Sequence, residues 1–283
     1  MAYTNNSMLI EASELFEKLE SKNTIIIDCD VSDVFQRAHI KNAKTLPTHH
    51  YIKQEGFKND PKKYPHIMEK NNFHELITNL NINQNSEIVA YDNSASLYAA
   101  RFWWCLNYYG IKNIKVLYGG WKKWISENYP IESGFNYPFS SKNDNSNAKK
   151  TDIKVSENDS YICNISDMKE SSNTILFDTR SEGEFKGTNS RGNMRSGHMP
   201  GSVHIEWLEF MTDDHNFKSE TEIKSILDTK NITPEKEIKT YWQGGIRAAH
   251  VFFVLKLLGY PYVSVYDASM AEYANRNDTE LVL

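Results

Sequence analysis

The chain has 283 residues, 40% of them hydrophobic and 24% charged, with a formal net charge of −5. Those figures describe a folded protein of one large or two ordinary domains, and the acidic balance weighs against nucleic acid as a partner. No run approaches the roughly 18 consecutive apolar residues of a membrane span, and the opening "MAYTNNSMLIEASEL" has no basic start leading into an apolar core, so no secretory signal is expected.

Taken in chain order, "LIEASELFEKLE" has the spacing of an amphipathic outer helix. "TIIID" is a short strand closing on Asp28, followed by polar residues, the pair His39-Ile40 and a second short strand. The adjacent His49-His50 reads as a loop feature. "EIVAY" is a strand, "DNSAS" a loop opening on Asp92, and "LYAARFWWCLNYYG" a helix apolar on most sides that stops at Gly110. A further strand and the turn "YGGWKKW" follow. From Gly134 to Asp152 the chain is rich in Asn, Ser and Lys and nearly free of apolar periodicity, the composition of a linker. "TILFD" then repeats the strand ending in Asp, here Asp178, and His198-Met199 repeats the His-apolar pair. "ETEIKSILDTKN" is another amphipathic outer helix. "EIKTYW", "QGGI" and "RAAHVFFVLKLLG" repeat strand, loop and Gly-stopped helix. Ala99-Ala100 matches Ala248-Ala249, Gly110 matches Gly259, and Trp124 matches Tyr273 of "DASMAEY".

Self-similarity over this length implies a duplicated domain: residues 1–134, a linker over 135–151, and residues 152–283. Strands alternating with helices imply an α/β fold, each domain a central parallel sheet with helices on both faces. Ligands bind such sheets at the carboxyl ends of the strands, where "YDNSAS" and "YWQGGI" both fall.

Of the two loops, Trp242 to Arg247 has the layout of an anion cradle. Gln243, Gly244, Gly245, Ile246 and Arg247 offer backbone N–H groups at the start of a helix, and the two glycines permit conformations that other residues resist. A Gly-rich connector without a ligand is the bland alternative. Arg247, Arg195 and Arg180 are the candidate cations of the cleft, since a guanidinium fork suits a sulfonate or carboxylate; structural salt bridges are the alternative for all three, most of all for Arg180. Asp178 and His198 look structural, holding strand ends and loop, and Asp92 reads as a helix-capping carboxylate. Cys29, Cys105 and Cys163 are few and unevenly spaced, which fits a reducing compartment and a cytoplasmic location. No CxxC pair or His cluster points to a metal, and no cofactor is expected.

The chain resembles the tandem-domain rhodaneses, the thiosulfate and 3-mercaptopyruvate sulfurtransferases. "SGHMPGSVHIEW", "YWQGGIRAAH", "YDNSASLYAARFWW" and "YGGWKKW" carry the resemblance, over nearly the whole chain. "DASMAEY" looks like a degraded form of the family's C-terminal signature, with Ala268 where a Gly is usual and Met270 where an aromatic is usual. The resemblance implies a catalytic loop in the second domain, opening on a cysteine that takes up sulfane sulfur as a persulfide. Trp242 stands in that position and Asp92 in its first-domain counterpart. It also puts Arg195 and Arg247 on the substrate side. A small sulfur-containing anion, or none, is the expected ligand. The expectation is a sulfurtransferase homologue inactive in sulfur transfer that binds or regulates, a pseudoenzyme. Sulfur transfer through another thiol, Cys29 first, stays open. So do an inactivated variant of an active sulfurtransferase and an interaction scaffold with no small ligand.

Overall fold

The computed structural model describes residues 2–53, 66–134, 151–169 and 171–283. The expected linker therefore lies, apart from Thr151, outside the described residues.

Two five-stranded parallel sheets share one strand order. The first runs Leu9–Ile10, Ile114–Leu117, Glu87–Tyr91, Thr24–Asp28, Lys44–Thr45. The second runs Ile162–Cys163, Val263–Tyr266, Glu237–Tyr241, Thr174–Asp178, Val203–His204. Registers match as well: Asp28 pairs with Tyr91, and Asp178 with Tyr241. The central strands are near-continuous apolar runs because both faces are covered. Ile25, Ile27, Ile88 and Ala90 face a core that includes the helix Leu97–Tyr108. Ile26, Val89 and Tyr91 face the opposite layer, with Leu15, Phe35 and Trp124. The second sheet divides in the same way, Ile175 and Phe177 to one side and Leu176 and Tyr241 to the other.

The two inner helices, Leu97–Tyr108 and Ile246–Leu257, pack on each other, Trp103 meeting Phe253 edge-on at 5.1 Å. One apolar core thus runs through both domains, and each loop at a strand's carboxyl end lies beside the other domain's inner helix. The duplication extends to single side chains. His39 stacks on Phe35 at 3.8 Å with Nδ1 2.8 Å from the Phe35 carbonyl oxygen, and His198 stacks on Phe185 at 3.7 Å with Nδ1 2.9 Å from the Phe185 carbonyl oxygen. No helix among the described residues is long and apolar enough to cross a membrane.

Candidate functional site

Each central strand ends in a tyrosine, and the next residue opens a loop: Asp92 in the first domain, Trp242 in the second. Backbone contacts make the two positions counterparts. Trp121 N donates to the Asp92 carbonyl oxygen, and Met270 N to that of Trp242, both at 2.9 Å. Each loop then reaches a left-handed residue that caps the inner helix, Ser96 (φ +61°) or Gly245 (φ +80°). The first loop is one residue longer, 92–95 against 242–244.

In the first domain the cradle is filled from within. Asp92 is 1% exposed, and its carboxylate accepts from the backbone N–H groups of Ser94, Ser96, Tyr98 and Ala99 at 2.8–2.9 Å. Burial and the nearby Asp30 carboxylate raise its pKa, against the pull of those donors.

In the second domain no carboxylate stands there. Among the described residues, no protein group accepts from the N–H groups of Gln243 through Ala248. Trp242 is half-buried and held by its backbone, its N–H donating to Ser269 Oγ at 3.1 Å. Ser269 adopts φ +52° and donates in turn to the Tyr266 carbonyl at 2.6 Å. The indole lies near two guanidinium carbons, Arg247 at 4.8 Å and Arg191 at 5.5 Å from its centroid. Such contacts contribute about 0.5–2 kcal/mol each, depending on exposure. Buried Glu184 joins the two arginines: Oε2 is 3.0 Å from Arg247 Nη1 and Oε1 is 3.5 Å from Arg191 Nε. A capping box with Ser181 holds Glu184 in place, and the Ser181 hydrogen bonds and both arginines lower its pKa against burial. Trp242 Nε1, Trp207 Nε1 and Arg247 Nε are buried donors without a hydrogen-bond partner. Gln243 exchanges two 2.8 Å hydrogen bonds with Asn193, fixing the loop to the segment that carries Arg191.

The other expected residues are placed as follows. Arg180 is buried on Asp178, with contacts of 2.6–3.0 Å, and on the Gly197 carbonyl at 2.9 Å, so its guanidinium is engaged inside the fold. Arg195 donates to the carbonyls of Tyr273, Ala274 and Thr279 and to the Thr279 hydroxyl, clamping the C-terminal segment. Of the three expected cleft arginines, only Arg247 faces the indole. Arg191, Glu184 and Ser269, which do shape the loop, were not singled out from sequence, although "SEGE" is a legible capping box. Cys29 is 1% exposed, and burial with the carboxylates of Asp92, Asp28 and Asp30 raises its thiol pKa well above the usual value. Burial pushes Cys105 and Cys163 up to about 12. A cleft of about 690 Å³ lined by Asn173, Glu237, Lys239 and Val263 lies at the amino ends of the second sheet, opposite to the loop.

Residues 11–127 and 164–276 each match the rhodanese-like domain. The chain is 28% identical to the sulfur carrier protein TtuD of Thermus thermophilus over 97% of this chain and 96% of that protein. It is 31% identical to the 3-mercaptopyruvate sulfurtransferase of Rattus norvegicus over 78% of this chain and 73% of that protein. An anaerobic ergothioneine biosynthesis enzyme from Chlorobium limicola, solved with trimethyl histidine, shares the fold at a TM-score of 0.83 and 20% identity, over 99% of this chain and 71% of that one. Two matched copies on two parallel sheets of one strand order place the chain in the rhodanese-like domain family, as a tandem-domain, sulfurtransferase-like member.

Proposed function

We propose that this protein is a sulfurtransferase homologue that does not transfer sulfur and that keeps the second-domain loop as a binding element for a small sulfur-containing anion, in a binding or regulatory role. Trp242 carries the reading. Persulfide formation needs a thiolate, and an indole offers only an N–H donor. On this reading Trp242 occupies the place of the reactive cysteine, and its ring beside Arg191 and Arg247 narrows the mouth of the cradle. The features that favour an anion remain: unengaged N–H groups at the start of a 12-residue helix, and the positive end of its dipole. Glu184 offsets one of the two guanidinium charges, so the remaining positive charge and the backbone N–H groups at the helix start share the attraction. The names of the sequence relatives favour sulfur compounds as the ligand class.

Transfer through Cys29 has its burial and three neighbouring carboxylates against it. The deciding assay is thiocyanate formation from thiosulfate and cyanide, with the native protein beside Trp242→Cys. Native protein at background and a gain in Trp242→Cys, whose new thiol titrates below the free value of about 8.5, are the expected results. Native turnover abolished by Cys29→Ser would overturn the reading. A melting temperature of the native protein unmoved by thiosulfate or sulfite would leave an interaction scaffold in its place.

A further inference from the structure

We propose that Arg101, a residue of the first domain, is a positioning residue for the Trp242–Arg247 loop of the second, acting through Asp267. Arg101 lies on the inner helix Leu97–Tyr108 and is fully buried. Its Nη1 is 2.7 Å from Asp267 Oδ1 and donates to the Gly245 carbonyl oxygen at 3.3 Å. Asp267, 1% exposed, follows the strand Val263–Tyr266, and its Oδ2 accepts from Ile67 N of the first domain at 2.7 Å. The ion pair forms the floor of the loop. A Cβ on Gly245 would overlap Asp267 Oδ1 and lie 2.9 Å from Arg101 Nη1.

Simple packing does not call for a charge here. A buried ion pair is a poor source of net stability beside an apolar pair of the same volume, and although the guanidinium stacks over the Trp104 ring at 4.4 Å, its Nε and Nη2 have no hydrogen-bond partner. The internal repeat supplies a comparison. His250 is the counterpart of Arg101 on the other inner helix, and it packs as a neutral ring, edge-on to Trp207 at 4.9 Å, its pKa lowered to about 3 by burial. It faces the Ala95 backbone of the first loop without a hydrogen bond of good geometry. Each inner helix thus presents one side chain to the other domain's loop. Only the loop without an internal carboxylate receives a charged one. The first loop is already tied down by Asp92; the second is tied down from across the domain boundary.

This inference rests on the loop being a binding element, but its test reads loop order and needs no ligand. Amide hydrogen exchange is measured on the full chain for the native protein, Arg101→Met, and the double variant Arg101→Met/Asp267→Asn. Arg101→Met leaves a buried carboxylate without its cation and should destabilise the whole protein. The double variant removes both charges and should recover most of that global stability. In it, exchange across 243–248 should stay at least tenfold faster than native, while the strand Thr174–Asp178 exchanges as in the native protein. Loop exchange returning to native in the double variant would mean that the pair is a structural contact alone, and would overturn the proposal. Equal acceleration in loop and strand would overturn it too. Thiosulfate stabilisation lost without a change in loop exchange would count against this inference while leaving the binding reading intact.

Discussion

Gly245→Ala tests the floor of the loop most directly, because Gly192 supplies a matched control. Gly245 has φ +80° and Gly192 φ +79°, so a Cβ strains both backbones alike, by about 1–2 kcal/mol. Around Gly192 a new Cβ meets nothing within 4 Å. At Gly245 it overlaps Asp267 Oδ1 and crowds the Asp267 carbonyl and Arg101 Nη1. That carboxylate cannot swing aside freely, since it is held by Arg101 on one oxygen and by Ile67 N on the other. Deleting one partner of a buried ion pair costs about 3–5 kcal/mol, which bounds the cost of displacing this one. Gly245→Ala should therefore destabilise by clearly more than Gly192→Ala, at about 1–2 kcal/mol, and by at most about 7 kcal/mol. Equilibrium urea unfolding, followed by fluorescence and circular dichroism together to verify a single transition, reads the difference. Two variants within about 0.5 kcal/mol of each other would refute the reasoning, because the clash would then contribute nothing beyond the shared left-handed strain.

His250 should make the native protein acid-sensitive. It is buried neutral with a pKa near 3 against 6.5 for the free side chain, so on acidification the unfolded chain takes up a proton that the folded one refuses. Stability is therefore complete above about pH 6.5 and falls by about 1.4 kcal/mol per pH unit below it, down to about pH 3; urea unfolding of His250→Phe at pH 6, 5 and 4 should lack this component of the slope. Alkylation by iodoacetamide at pH 7.5 should leave Cys29, Cys105 and Cys163 unmodified in the native protein and modify all three in urea, as counted by intact mass. Prompt native labelling of Cys29 would contradict its burial.

The duplication, the strand ends and both loops were legible in the sequence for a physical reason. Strands buried on both faces read as apolar runs such as "TIIID" and "TILFD", and helices that stop at Gly110 and Gly259 punctuate them. Matching the Ala-Ala pairs of the two helices while also matching Asp92 to Trp242 demands a one-residue difference between the loops, and the capping residues Ser96 and Gly245 locate it. The partners of long side chains were not legible. Arg195 sits beside the "SGHMPGS" motif yet donates to carbonyls of residues 273, 274 and 279, about 80 positions away. Arg191, in an unremarked "SRGN", reaches the indole instead. Local periodicity carries no information about where a flexible guanidinium ends. Arg101 did leave a signal, as the lone charge in "LYAARFWWCLNYY", but an apolar helix directs attention to packing.

The two loops are alternative solutions to one electrostatic problem. A parallel sheet that feeds a helix through a tight loop leaves a group of N–H donors at the helix start with no intrahelical acceptor, and something must accept from them or water must. In the first domain Asp92 does so with four hydrogen bonds, and the loop is complete in itself. In the second domain Trp242 holds the counterpart position, an indole N–H accepts no hydrogen bond, and the Glu184 carboxylate is engaged by Arg191 and Arg247. On the reading proposed above, a small anion is the acceptor for the second domain's helix-start donors, with Trp242 beside them limiting its size; water is the acceptor if the loop is a connector.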